Sequence, residues 1–222
     1  MNTSTQPAGI EKPTSILATN KVIRNTYILL SMTLLFSAAT AGISMKLDLP
    51  HPGFIITLVG YVGLLFLTTK FRDSSLGILF VFALTGFMGF TLGPILNMYL
   101  GLPNGAELVM NALGATAITF VGLSAYAITS RKDFSFLGGF IMAGIIVALL
   151  AMVANFFLEM QGLQLIISAM FVILMSALIL WQTSEIINGG ETNYIMATVT
   201  LFVAIYNLFT NLLYLMGVLG DE

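Results

Sequence analysis

A helical membrane protein with seven spans is the fold class this sequence predicts, on three observations. Of its 222 residues 58% are hydrophobic and only 8% charged, with mean hydropathy +0.98, whereas a soluble domain carries about a quarter charged residues. The apolar residues form seven continuous runs, and the basic residues collect in alternate gaps between them. A transmembrane β-barrel would instead show segments of about 10 residues alternating apolar and polar.

Each helical residue advances about 1.5 Å, so about 20 apolar residues cross the hydrocarbon. The first run is Thr26 to Met45. A cleaved signal peptide ending at Ala39-Thr40-Ala41 is the alternative here, but the run reaches full spanning length and the preceding segment is long for a signal, so a retained helix is favoured. Gly53 to Thr69 is short, and Pro50 and Pro52 mark where its helix can begin. Leu76 to Leu100 carries the strip Gly86, Gly89 and Gly93, small residues at the spacing that lets helix backbones approach closely. Pro94 follows and removes one helical hydrogen bond, so Gly93 and Pro94 are a candidate kink or a break lining a cavity; a packed, slightly bent helix is the plainer reading.

The fourth run is Ala106 to Ser130, with Glu107 in its outer turn. The fifth, Phe136 to Leu158, opens on Gly138, Gly139, Ala143 and Gly144, which read as packing residues. Gln164 to Ile187 holds Gln182 and, one turn on, Glu185 near its inner edge. Glu185 is the best proton-binding candidate, although its depth also suits an ordinary interfacial carboxylate. Tyr194 to Leu219 contains Asn207 and Asn211, four apart and so on one face, with Ala204 on the same stripe. Either a polar seam between helices or an aqueous cavity explains the pair, the seam being favoured.

Cytoplasmic loops retain Lys and Arg. With the N-terminus inside, Lys12, Lys21, Arg24, Lys70, Arg72, Arg131 and Lys132 are all cytoplasmic and only Lys46 is external, which puts the C-terminus outside. Residues 1 to 20, with two Pro, four Thr and two Ser, are expected to form a disordered cytoplasmic tail, and residues 21 to 222 one membrane domain.

The residues exclude much chemistry. No cysteine means no disulfide, thiolate metal site or thiol nucleophile. His51, the one histidine, sits in the Pro50-His51-Pro52 turn without the three or four ligands that zinc needs. An intramembrane serine protease would pair Ser124 with an embedded histidine, and none exists. No span contains Asp, no phosphate-binding loop occurs, and a formal charge of −2 does not suit nucleic acid. The expectation is a protein that is not an enzyme and needs no cofactor or metal.

The segments Lys21-Val22-Ile23-Arg24-Asn25-Thr26-Tyr27, Gly93-Pro94-Ile95-Leu96-Asn97, Arg131-Lys132-Asp133-Phe134-Ser135-Phe136-Leu137-Gly138-Gly139 and Gly189-Gly190-Glu191-Thr192-Asn193-Tyr194, in that order, resemble the Bax inhibitor-1 family. More narrowly, they are similar to its bacterial YccA-type members, from about residue 19 to the last span. The resemblance implies seven helices and, for the family at large, calcium leak with a pH-sensing aspartate pair on the sixth and seventh. The matching positions here are Gln182 and Ala204, neither of which exchanges a proton, leaving Glu185 as the substitute.

For the YccA-type branch the resemblance implies an inner-membrane protein that associates with and modulates FtsH, a membrane-anchored ATP-dependent zinc protease. No active site in the present chain is required for that. Residues 1 to 20 would present the unstructured chain on which such a protease starts. The rival expectation is a pH-influenced calcium or cation leak through Glu185, Gln182, Asn207 and Asn211.

Overall fold

The computed structural model describes residues 16–220, with side chains from Thr19 onward. The expected tail lies outside the described residues up to residue 15, and its last five residues open the first helix. In chain order the helices are α1 (Ile16–Lys46), α2 (Phe54–Lys70), α3 (Ser75–Leu100), α4 (Gly105–Ser130), α5 (Leu137–Leu158), α6 (Gln161–Asn188) and α7 (Tyr194–Leu219). There is no strand among the described residues. Six of the helices are long and apolar enough to cross a membrane, and α2 is the shorter one, at 17 residues.

The helix ends follow local chemistry. α1 starts ten residues before its apolar run, because polar residues outside the hydrocarbon keep the same backbone ladder while Val22 and Ile23 still pack on the core. Gly53 at φ 88° turns the chain into α2 after the prolines. α4, α5 and α6 each stop on a residue in the left-handed region: Arg131 (φ 50°), Glu159 (φ 50°) and Gly189 (φ 81°), the conformation that commonly closes a helix.

α7 is the central post. It packs against α6, α4, α1 and α3, and Leu201, Ala204, Leu208 and Leu213 on it are fully buried. α1 lies along α3, α2 leans on α3, and α5 on α6. α5 buries only Ile141 and Ala148, α2 only Thr68. Their outward faces, such as Ile55, Val62, Val147 and Leu150, are apolar and exposed, as surfaces that meet lipid should be.

The glycine strip forms the α1–α3 seam. A Cβ at Gly86 would come within 2.6 Å of Phe36 Cε1, and one at Gly93 within 2.5 Å of Ser44 Cβ. At Gly89 it would overlap the Ser37 carbonyl oxygen and Thr40 Oγ1. α3 continues unbroken through Pro94 to Leu100. The strip therefore brings two backbones together.

Loops 71–74, 131–136 and 189–193 share one end of the bundle, with Lys21 and Arg24; the other end holds loops 47–53, 101–104 and 159–160. Asn193 ties the basic end together. Its Oδ1 caps α7 by accepting from Ile195 N (3.0 Å) and Met196 N (3.1 Å), while Nδ2 donates to Arg72 O (3.1 Å) and Asp73 Oδ1 (2.8 Å). Asn193→Ala loses both sets of bonds and is expected to cost about 1–2 kcal/mol, read as a lower unfolding temperature in detergent. Asn193→Asp keeps the cap acceptor and should recover part of the loss.

Candidate functional site

The polar positions singled out by sequence occupy different levels of the bundle. Glu185 lies in the last turn of α6 at the basic end and is half-buried. Its carboxylate rests against Gly190, close enough that a Cβ there would overlap it, and its carbonyl accepts from Gly190 N (2.8 Å) and Glu191 N (3.1 Å). Asp133 and Glu191 are the charges that face it. The one ion pair among the described residues, Arg72 Nε to Asp73 Oδ2 at 3.6 Å, does not include it. In the loop beside it, the Ser135 backbone N–H and hydroxyl hold Asp133 below the usual carboxylate range.

Gln182, one turn deeper, is 3% exposed and its Nε2 has no partner. Its neighbours are better served. Ser184 Oγ donates to Lys132 O (3.1 Å) and accepts from Phe134 N (3.0 Å) and Asn188 Nδ2 (3.1 Å), which pins the α4–α5 loop to α6. Tyr27 Oη and Thr183 Oγ1, 3.4 Å apart, link α1 to α6.

Asn207 and Asn211 lie well up α7 from that end. Asn207 is thirteen residues beyond Tyr194, or about 20 Å along the axis, whereas Glu185 is about 4.5 Å from the end of α6. The expected interhelical seam is not what the amides form. Asn207 Nδ2 donates to Val203 O (2.9 Å) and Asn211 Nδ2 to Asn207 O (2.7 Å), both within α7. Between their level and Gln182, α6 and α7 contribute the apolar side chains Leu174, Ile179, Leu201, Phe202 and Ala204, each at most 2% exposed. The structure does not join the four candidates into one site.

Asn207 does line a cavity of 480 Å³, a crevice between α2 and α5 floored by α3, α6 and α7. A second, of 270 Å³, lies between α1 and α4. Tyr206 lines both, and Thr91 lines the first beside it. No sequence signal marked Tyr206 or Thr91, because their walls come from helices far apart in the chain.

Other polar residues have structural partners. Asn97 Nδ2 donates to Met45 O (3.1 Å) and Asp48 Oδ1 (3.3 Å), His51 Nδ1 accepts from Gly53 N (3.1 Å), and Asn155 Nδ2 donates to Gln164 Oε1 (3.1 Å). Among the described residues no cluster of three or more potential metal ligands occurs. The arrangement offers apolar surfaces for binding inside a bilayer and an apolar interior.

Residues 19–221 match the family model described as inhibitor of apoptosis-promoting Bax1. The chain is 57% identical to the Modulator of FtsH protease YccA of Escherichia coli (strain K12), over 92% of this chain and 93% of the relative. The same values hold for the Inner membrane protein YccA of Escherichia coli O6:H1. It is 43% identical to an uncharacterized membrane protein of Vibrio cholerae, over 93% of each chain.

Proposed function

Because the chain belongs to the Bax inhibitor-1 family, we propose that it is a multi-pass protein of the bacterial inner membrane that binds and modulates a membrane-anchored FtsH-type protease. The observation that carries this reading is the 57% identity, over more than nine-tenths of both chains, to a protein named for that modulation. The geometry agrees with it. A modulator acts by contact, and the chain offers two weakly buried helices, α2 and α5, whose apolar faces can meet other helices in the membrane. It acts by binding, with no reaction of its own.

The basic end faces the cytoplasm in this reading, following the rule that short cytoplasmic loops keep their Lys and Arg. Residues 1–15 then lie on the side where an ATP-driven protease engages its substrates. Raising the level of this protein is expected to lengthen at least two-fold the half-life of another membrane substrate of the protease, followed by pulse-chase. An unchanged half-life while the protease co-purifies would defeat the modulator claim. Removing residues 2–15 sorts the two modes: a competing substrate loses its effect on the second substrate, and an inhibitor keeps it.

Cation passage through Glu185, Gln182, Asn207 and Asn211 has less support, since buried apolar side chains of α6 and α7 around Phe202 lie between the level of Gln182 and that of the two asparagines.

A further inference from the structure

The crevice between α2 and α5 is a feature that modulation by contact leaves unused. α2 rests on α3 and α5 on α6, so the two outer helices stand as walls with α3, α6 and α7 behind them. Phe54 opens one wall, and its ring stacks on Phe156 near the end of the other, with centroids 6.3 Å apart. Leu149 stands at the mouth, 49% exposed, while Met88 and Met175 on the floor are 6% and 3% exposed.

The lining decides what can fill this space. It is mostly carbon, and donors on three of its five polar side chains are engaged within the protein: Thr57 Oγ1 donates to Gly53 O (2.8 Å), Thr91 Oγ1 to Met88 O (2.9 Å) and Asn207 Nδ2 to Val203 O (2.9 Å), leaving the Tyr61 and Tyr206 hydroxyls. Apolar cavities of this kind stay dry, because water needs two to four polar partners. An empty space of 480 Å³ would leave its lining without dispersion contacts on one side. The molecules beside the mouth are bilayer lipids, since the neighbouring Leu58, Val62 and Leu150 face outward.

The dimensions suit a chain. The lining runs from Phe54 to Tyr61 on α2 and from Ile145 to Met152 on α5, each about 10 Å along the axis, a large part of one leaflet's hydrocarbon depth of about 15 Å. We propose that this crevice binds the hydrocarbon chain of a bilayer lipid, which passes between α2 and α5 and ends against Met175 and Tyr206. The inference needs only that the chain spans a bilayer, and it stands or falls separately from protease modulation.

The test uses the full-length protein in nanodiscs of phosphatidylethanolamine and phosphatidylglycerol, doped with a phosphatidylethanolamine that carries a diazirine in its acyl chain. After irradiation, adducts are expected on Met88, Met175 or Tyr206, behind the walls. Adducts confined to outward residues such as Val62, Val147 and Leu150 would overturn the proposal. Leu149→Trp, which fills the mouth from an exposed position, should lower the interior adducts about ten-fold and leave the outward ones unchanged. Interior labelling that survives this change also counts against it. Suppression by excess unlabelled phospholipid identifies a phospholipid chain and suppression by oleic acid a free fatty acid; interior labelling that neither suppresses is non-specific and sinks the site.

Discussion

Gly89→Leu is expected to prevent accumulation of folded protein, and Gly89→Ala to lower stability by about 2–3 kcal/mol, at the upper end of what overpacking costs. A Cβ at Gly89 would meet the Ser37 carbonyl and Thr40 Oγ1, and Thr40 is itself held by donating to Ser37 O at 2.9 Å. Backbone cannot retreat as the tip of a long side chain can, so α1 would have to leave α3. α1 is also tied elsewhere: Thr26 O accepts from Thr198 Oγ1 at 3.3 Å on α7. Displacement would therefore disturb the central post. Gly114 on α4 is the control, because a Cβ there meets nothing within 4 Å; Gly114→Ala should leave stability unchanged or raise it by up to about 1 kcal/mol through helix propensity. Thermal unfolding in detergent reads both. A Gly89→Ala protein as stable as the parent would mean the seam is looser than described.

The second large effect is expected from Gln182→Asp. The position is 3% exposed, and the Gln182 Nε2 already lacks a partner. Burial disfavours the ionised carboxyl and raises its pKa, by up to about 3–5 units for fully buried groups. Three units would correspond to about 4 kcal/mol. The sign follows from linkage. Below the unfolded value, near pH 4, both states are protonated and the cost is small. Stability then falls as pH rises towards the elevated folded value, and levels off above it. Adding Ala204→Asp, at a fully buried position on the neighbouring helix, should steepen the fall and couple the two titrations. Unfolding midpoints measured from pH 4 to pH 8 decide this, with the parent protein as reference. A flat profile for Gln182→Asp would show that water reaches the site. The same variants in calcium-loaded liposomes test the leak reading: if the parent leaks no faster than empty vesicles and Glu185→Gln changes nothing, cation passage can be set aside.

The spans were legible because hydropathy reports the solvent, and here the solvent is lipid. The ends of α2 through α7 lie within three residues of the apolar runs. α1 escaped because its helix continues past the hydrocarbon into Asn20, Lys21 and Arg24, where hydropathy falls but the backbone ladder does not. The glycine strip was readable from spacing alone. Rank within the bundle was not: α5 is more apolar than α7 yet mostly outward-facing, while α7 is the post. In a soluble protein the greasiest helix is usually the most buried; in a bilayer that inference fails, because lipid accepts apolar surface as readily as a core does. The candidate site was legible only as a list of polar residues. Asn207 and Asn211 do share a stripe, but their donors turn back to their own helix. The crevice required five helices to be placed first. The Ser184 network joins residues about fifty positions apart with no periodic signature.

The close fit of α1 against the α3 glycine strip also bears on extraction. A motor that grips the N-terminal residues and draws them inward would load this joint in shear along its whole length, with Phe36, Ser37, Thr40 and Ser44 catching on successive turns of α3. Joints loaded that way resist until many contacts yield together, whereas a peeled joint gives way one contact at a time. The grip of α1 on α3 would thus set the force threshold at which threading begins, and a chain with a high threshold would occupy the motor for longer than it feeds it.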